Sequence, residues 1–276
     1  MRWGLAALCL LWMVPVVGLF VTSFRTRDAQ QSSGWWTALA NPLDFTQWTL
    51  SNYTTVLTTT DASVNMSQAF VNSFVVTVPA TVVPILIAAF AAYAFTFMTF
   101  AGRDVLFVVI VGLLVIPIQV ALVPLLRLYG SMGINQTYLA IWLVHIGFGM
   151  PLAIYILRGY MSHLPRAIIE SAKVDGASHY TTFWRLVVPM SLPAFVSFAI
   201  FQFLWVWNDL LLTLLFLGRG ENTTSTVALQ GLQGRLGEGA ELIASAGFVA
   251  IAVPLLVFLA LQRYFIRGMT AGAVTG

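Results

Sequence analysis

Six apolar runs, each about 20 residues or longer and nearly free of charge, leave this chain few ways to fold. They lie at about 3–24, 70–97, 105–127, 136–158, 195–217 and 243–266. A hydrocarbon core about 30 Å thick takes about 20 helical residues to cross, and in lipid only a helix or a closed barrel satisfies its own backbone. Runs of this length read as helices. With 59% hydrophobic and 8% charged residues, the composition agrees, a soluble domain carrying roughly 25% charged. The expectation is an all-α integral membrane protein with six transmembrane helices, one domain over residues 1–276.

Loops rich in Lys and Arg stay in the cytoplasm. One side carries Arg2, Arg103, Arg158, Arg166, Lys173, Arg185, Arg263 and Arg267, the other Arg25, Arg27, Arg127, Arg219 and Arg235, eight against five. The first side is read as cytoplasmic, which places both termini there. A sequence pI near 9.2 then reports topology, and no nucleic-acid partner is expected. The first run is too long for the apolar region of a secretory signal and carries Pro15, so it reads as a span. Cys9, the single cysteine, forms no internal disulfide.

Residues 25–69 form a long extracytoplasmic loop containing Gly34, Trp35, Trp36 and Trp48. Two readings fit its tryptophans: an interface belt or a docking surface for a soluble partner. Proline interrupts most spans, at Pro15, Pro79, Pro84, Pro117, Pro124, Pro151 and Pro254. Each removes a backbone hydrogen bond and kinks its helix, which suits a bundle that lines a pathway.

Between the fourth and fifth spans lies a polar, Gly-punctuated segment, residues 159–194. Pro165 suits the first turn of a helix, and Ile168, Ile169 and Ala172 then fall on one arc of it. Asp175-Gly176 ends that helix, because Gly adopts the positive φ of a helix C-terminus. A second segment over Ser178 to Val188 repeats the apolar spacing with Phe183, Leu186 and Val187, and Pro189 and Pro193 turn the chain into the fifth span. Helix, turn, helix and proline exit make a rigid cytoplasmic knob.

Glu170-Ser171-Ala172 followed by Asp175-Gly176-Ala177, then Phe183, Pro189 and Pro193, resembles the EAA loop of permease subunits of ATP-binding-cassette importers. Ser171 stands where Ala is usual. By that resemblance Glu170, Ser171, Ala172, Asp175, Gly176 and Ala177 couple the spans to ATPase subunits. Trp207-Asn208-Asp209-Leu210-Leu211-Leu212, the terminus Gln262 to Gly276, Trp48 to Tyr53 and Leu157 to Tyr160 are similar to the carbohydrate-type, maltose-permease-like class. Thr275 departs from that pattern, where many relatives have Lys.

A carboxylate in a span costs roughly 2.5–3.5 kcal/mol on insertion scales and faces the bundle interior or a wet cavity. Gln202, Trp205, Asp209 and Thr213 would share one face of a continuous fifth helix. With Asn208 they are candidates for a sugar pathway: hydroxyls take hydrogen bonds and pyranose faces take a ring. Tyr138, Trp142 and His145 share a face of the fourth span and join the candidates. Each has a structural alternative, an interhelical polar contact for Asp209 and a packed, hydrogen-bonded ring for His145. Asn72, Ser73 and Thr77 in the second span are similarly open, and Arg263 and Arg267 either touch the ATPases or anchor the last helix.

A phosphate-binding loop needs a Gly-Lys pair, and the single lysine, Lys173, follows Ala172. No HExxH, Cys/His cluster or GxSxG elbow occurs. No catalytic or metal residue is expected, and no cofactor bound by this chain. The resemblance implies a non-catalytic subunit in a prokaryotic cell membrane, paired with a second permease, two nucleotide-binding ATPase subunits using ATP and Mg, and an extracytoplasmic solute-binding protein. It would import a sugar, with an α-glucoside or oligosaccharide suggested. The rival class is an ion-gradient-driven secondary transporter or channel, with Asp209 and His145 relaying protons.

Overall fold

The computed structural model describes residues 2–58, 65–235 and 239–271, without the side chains of 233–235 and 263–271. Calls on Arg263, Arg267 and the last five residues lie outside the described ones. Regular structure is helical among the described residues. In order come α1 (Arg2–Ser23), α2 (Arg27–Ser32), α3 (Trp35–Ala40), α4 (Ser51–Thr58), α5 (Met66–Phe97), α6 (Arg103–Gly112) and α7 (Ile118–Ser131). Then follow α8 (Tyr138–Ser162), α9 (Arg166–Val174), α10 (His179–Thr182), α11 (Val188–Trp207), α12 (Leu211–Phe216), α13 (Ser225–Arg235) and α14 (Ala240–Ala271). Five helical runs are long and apolar enough to cross a membrane, six if the bent pair α6 and α7 counts as one.

Two spans differ from the continuous, proline-kinked helices the sequence suggests. The third run breaks into Arg103–Val115 and Ile118–Ser131, inclined at 98°. The cause is Pro117, which holds Ile116 out of the helical region at ψ 119°. The fifth run starts earlier and ends earlier than expected, since α10, a π-turn over Phe183–Val187 and α11 form one continuous helix from His179 to Trp207. Pro189 and Pro193 therefore lie inside a helix and turn nothing. Asn208 breaks it: its Nδ2 donates back to Leu204 O at 2.8 Å, while Asp209 Oδ2 accepts from the Thr213 amide at 3.0 Å. Such local side-chain bonds compete with the helical ladder. Gln202 and Trp205 thus sit on α11, Asp209 in the break and Thr213 on α12, so the single polar stripe expected across them does not exist.

The chain divides into two compact units, residues 1–73 with 218–255 and residues 74–217 with 256–276. In the first, the loop after α1 is folded into α2 to α4 and a 3-10 turn. Arg25 organises it: fully buried at 1% exposure, its guanidinium donates to Ala29 O at 2.7 Å, Ser33 O at 2.8 Å and Ser33 Oγ at 2.7 Å. These include the last carbonyls around α2, where a cation also meets the negative end of the helix. Desolvation lowers the guanidinium's pKa from its ordinary value. Asn52 closes the other side, donating to Ser23 O and Arg25 O at 3.0 and 2.8 Å. In the same unit Asn72 Nδ2 reaches Glu221 O at 2.7 Å and Thr223 O at 3.0 Å, and Ser73 Oγ meets Ser225 Oγ at 2.9 Å. These contacts of Asn72 and Ser73 pin the loop that leads into α13.

The second unit holds two apolar clusters. One gathers Ala88, Ala92, Tyr93, Leu157, Ile169 and Phe183; the other gathers Val76, Ala80, Leu122, Ile141, Val144 and Phe216.

Replacing Arg25 with Leu removes the guanidinium bonds to Ala29 O, Ser33 O and Ser33 Oγ; Ala29 O keeps the Ser33 amide and the Ser32 and Ser33 hydroxyls, so the cost falls mainly on Ser33 O, roughly 1–3 kcal/mol if it stays buried. Hydrogen exchange should show residues 27–40 losing protection while α8 keeps its own; unchanged protection there would contradict this role.

Candidate functional site

The segment between α8 and α11 is an exposed elbow held from beneath. Helix α9 ends in a Schellman turn: Ala177 N donates to Ala172 O at 2.9 Å and Gly176 N to Lys173 O at 3.0 Å. Gly176 takes φ 77°, the left-handed conformation that the turn requires. Glu170, Ser171, Asp175 and Gly176 are exposed, and Ala172 and Ala177 are half-buried. Of the apolar arc expected on α9, Ile169 alone is buried, at 3%, while Ile168 is 42% exposed. Ile169 lies where water is the alternative, so its burial contributes about 2 kcal/mol.

The second half of the elbow packs on α5. Phe183 stacks on Phe90 at 4.7 Å and meets Tyr93 edge-on at 5.4 Å. Tyr93 Oη lies 2.9 Å from His179 Nδ1, a hydrogen bond that ties α5 to the start of α10. Sequence reasoning missed both Tyr93 and His179, since neither stands in a motif. Val174 and Tyr180 remain on the outside, 88% and 71% exposed.

Farther along the same unit a cavity of about 760 Å³ opens between α7, α8 and α11, with the corner between α6 and α7 as one wall. Leu114, Ile116, Pro124, Phe148 and Phe201 supply apolar surface, and Gln202 and Trp205 are the candidate pathway residues that line it. Asn208 is exposed at the helix break. Tyr138 and Trp142 stack at 6.0 Å and do not line this cavity. His145, fully buried, approaches Asp209: Nε2 to Oδ2 is 3.6 Å.

The prolines of α5 explain why Trp142 and Gln202 point where they do. Pro79 has no N–H for Val75 O, and Pro84 has none for Ala80 O. Trp142 Nε1 donates to Val75 O at 2.9 Å, and Gln202 Nε2 to Ala80 O at 3.1 Å. Each carbonyl that proline frees is thus paired by a neighbouring helix, as a membrane interior requires. Gly149 makes room for the second contact, because a Cβ there would lie 2.6 Å from Gln202 Nε2. The i−4 rule applied to Pro79 and Pro84 marks these acceptors in the sequence; the donors come from other helices and are not marked.

Long apolar helices, one of them sharply broken, around a half-open cavity with a structured elbow beyond it define a helical membrane component. The chain belongs to the family described as binding-protein-dependent transport system inner membrane component, which matches residues 84–271. It is similar to the osmoprotective compounds uptake permease protein GgtD of Synechocystis sp., 48% identical over 98% of this chain and 90% of that one. The alpha-glucoside transport system permease protein AglG of Rhizobium meliloti is 52% identical over 83% of this chain, the match spanning 61% of AglG. In fold it resembles a chain of a bacterial ABC transporter involved in the import of the acidic polysaccharide alginate, with a TM-score of 0.74 at 18% identity over 96% of this chain and 94% of that one. The resemblance to an importer permease is therefore borne out at the level of family, and the all-α membrane fold with it.

If Gln202 serves mainly to pair the carbonyl freed by Pro84, Gln202→Leu should destabilise the wild-type chain by about 1–2 kcal/mol. In a Pro84→Ala background, where residue 84 regains its N–H, the same change should cost less than half as much. A double-mutant cycle by thermal unfolding measures the coupling; additive effects would contradict the pairing.

Proposed function

We propose that this chain is the transmembrane, non-catalytic subunit of an ATP-driven importer for a sugar or oligosaccharide. It pairs with a second permease, two ATPase subunits that use ATP and Mg, and an extracytoplasmic solute-binding protein. Relatives named as permeases for osmoprotective compounds and alpha-glucosides support the reading. So does the fold likeness to a chain of an alginate transporter solved with a periplasmic protein bound to an alginate pentasaccharide, at 13% identity and a TM-score of 0.66. Within sugars, the AglG match favours an α-glucoside.

The observation that carries the mechanism is the packing beneath the elbow. Ile169 and Phe183 share one apolar cluster with Tyr93 of α5 and Leu157 of α8, and the helix from His179 runs unbroken to Trp207. A push on Glu170 to Ala177 from an ATPase is transmitted along α11 to Gln202 and Trp205. ATP binding that favours one conformation then shifts the cavity between two openings. Gln202 offers a hydrogen bond and Trp205 a ring to a sugar.

The ion-gradient alternative draws on the approach of His145 to Asp209. It needs no elbow and moves solute without an ATPase.

Gly176→Ala tests the choice. Its strained φ costs about 1 kcal/mol, so in the reconstituted complex maltose or trehalose uptake should fall about fivefold while each ATPase still hydrolyses ATP. Uptake by this chain with no ATPase present would overturn the importer reading.

A further inference from the structure

Helix α3, Trp35-Trp36-Thr37-Ala38-Leu39-Ala40, carries one polar side chain, and its hydroxyl is bonded within the loop. Thr37 Oγ1 donates to Gly34 O at 2.7 Å and lies 3.0 Å from Ser33 Oγ. Trp36 and Leu39 are 63% and 53% exposed, and Leu43 and Phe45 follow at 81% and 78%. Polar groups beside them are met from within: Trp48 Nε1 donates to Pro42 O at 3.1 Å and Gln47 Nε2 to Asn41 O at 2.7 Å. Apolar surface outside and polar groups paired inside is what hydrocarbon demands of a segment. One helix earlier the pattern is reversed, since Asp28, Gln31 and Ser32 of α2 are the exposed residues there.

The depth of α3 is set by α1. That helix runs 22 residues, about 33 Å at 1.5 Å per residue, close to the roughly 30 Å of a hydrocarbon core. The Trp35 indole lies against Gly18, where a Cβ would fall 2.8 Å from Nε1. Because α1 ends at Ser23, that contact places α3 about 7.5 Å inside the end of the span. Leu19 and Phe20, next to Gly18 on α1, are 54% and 51% exposed. The apolar surfaces of span and loop thus lie at one depth.

We propose that residues 34–45 are a lipid anchor: α3 lies in the membrane leaflet at the C-terminal end of α1, with Trp36 and Leu39 against acyl chains and Leu43 and Phe45 at the headgroups. Asp44 sets the second limit. It is exposed between Leu43 and Phe45 and accepts from Thr46 N at 3.1 Å, and a charge stays with water or headgroups. Trp36 suits the boundary, since tryptophan gathers where hydrocarbon meets headgroups. Of the two readings open to the tryptophans of this loop, depth favours the interface. A soluble partner arriving from water has the polar residues of α2 to meet, whereas a surface inside the length of the span is covered by lipid. The anchor rests on α1 crossing the membrane and is independent of the importer reading.

The test places a nitroxide on single cysteines at residues 39, 45 and, as a water-facing control, 31, each in a Cys9→Ser background. The full chain is held in nanodiscs of phosphatidylcholine and phosphatidylglycerol. Oxygen partitions into lipid and a nickel chelate into water. The oxygen-to-nickel accessibility ratio should be severalfold higher for Leu39→Cys than for Gln31→Cys, with Phe45→Cys between them. A second measurement keeps natural partners in place: a photoreactive side chain at residue 39, incorporated in growing cells, should cross-link to lipid. A ratio at residues 39 and 45 equal to that at 31, low access to both reagents, or capture of a protein at residue 39 would overturn the anchor.

Discussion

A carbonyl freed inside a membrane helix has no water to turn to, and the architecture of the second unit follows from how two such groups are met. Pro79 and Pro84 each cost α5 a hydrogen bond and each expose an acceptor. Trp142 of α8 and Gln202 of α11 supply the donors at 2.9 and 3.1 Å. Three helices are thereby held in register by polar contacts that no lipid can replace. Dispersion alone discriminates poorly here, since hydrocarbon tails are as apolar as the helix faces. These contacts also fix Gln202 in the cavity wall, so one constraint serves packing and the lining of the cavity together.

Beyond the cavity, the same helices carry the elbow. α5 reaches it through Phe90 and Tyr93, and the chain enters α11 through the π-turn over Phe183–Val187 without a break. π-turns are rare and concentrate at functional sites; this one places Phe183 and Val187 inward together, 3% and 0% exposed. The break comes instead at Asn208, beside the His145–Asp209 pair. The result is a helix continuous from the elbow to Trp207 and broken just beyond it.

Much of this was legible in the residues. Length and charge placed the apolar runs, and the Gly176 turn follows from the left-handed φ that glycine adopts freely, with the Schellman bonds where the sequence put them. The 98° corner in the third span was not legible, because Pro117 reads as a kink like the other span prolines until its preceding residue is seen extended. Nor was the end of α11: Asn208 and Asp209 are polar residues in an apolar run, and only the side-chain bonds to Leu204 and Thr213 show that they stop the helix. The relay reading paired His145 with Asp209, but their 3.6 Å approach, made between segments far apart in sequence, has no spacing pattern to mark it. The folded state of residues 25–58 depends on the buried Arg25, whose partners are backbone carbonyls and leave no pattern in the sequence.

The claim on which the functional reading turns is that the elbow is gripped by a nucleotide-hydrolysing partner. Val174, 88% exposed at the tip of α9, is the place to ask. A Val174→Cys variant in a Cys9→Ser background, carrying a short photoreactive label in the assembled transporter, should cross-link to the ATPase subunit, with a yield that changes when ATP is added. Capture of lipid alone, with and without nucleotide, would contradict it.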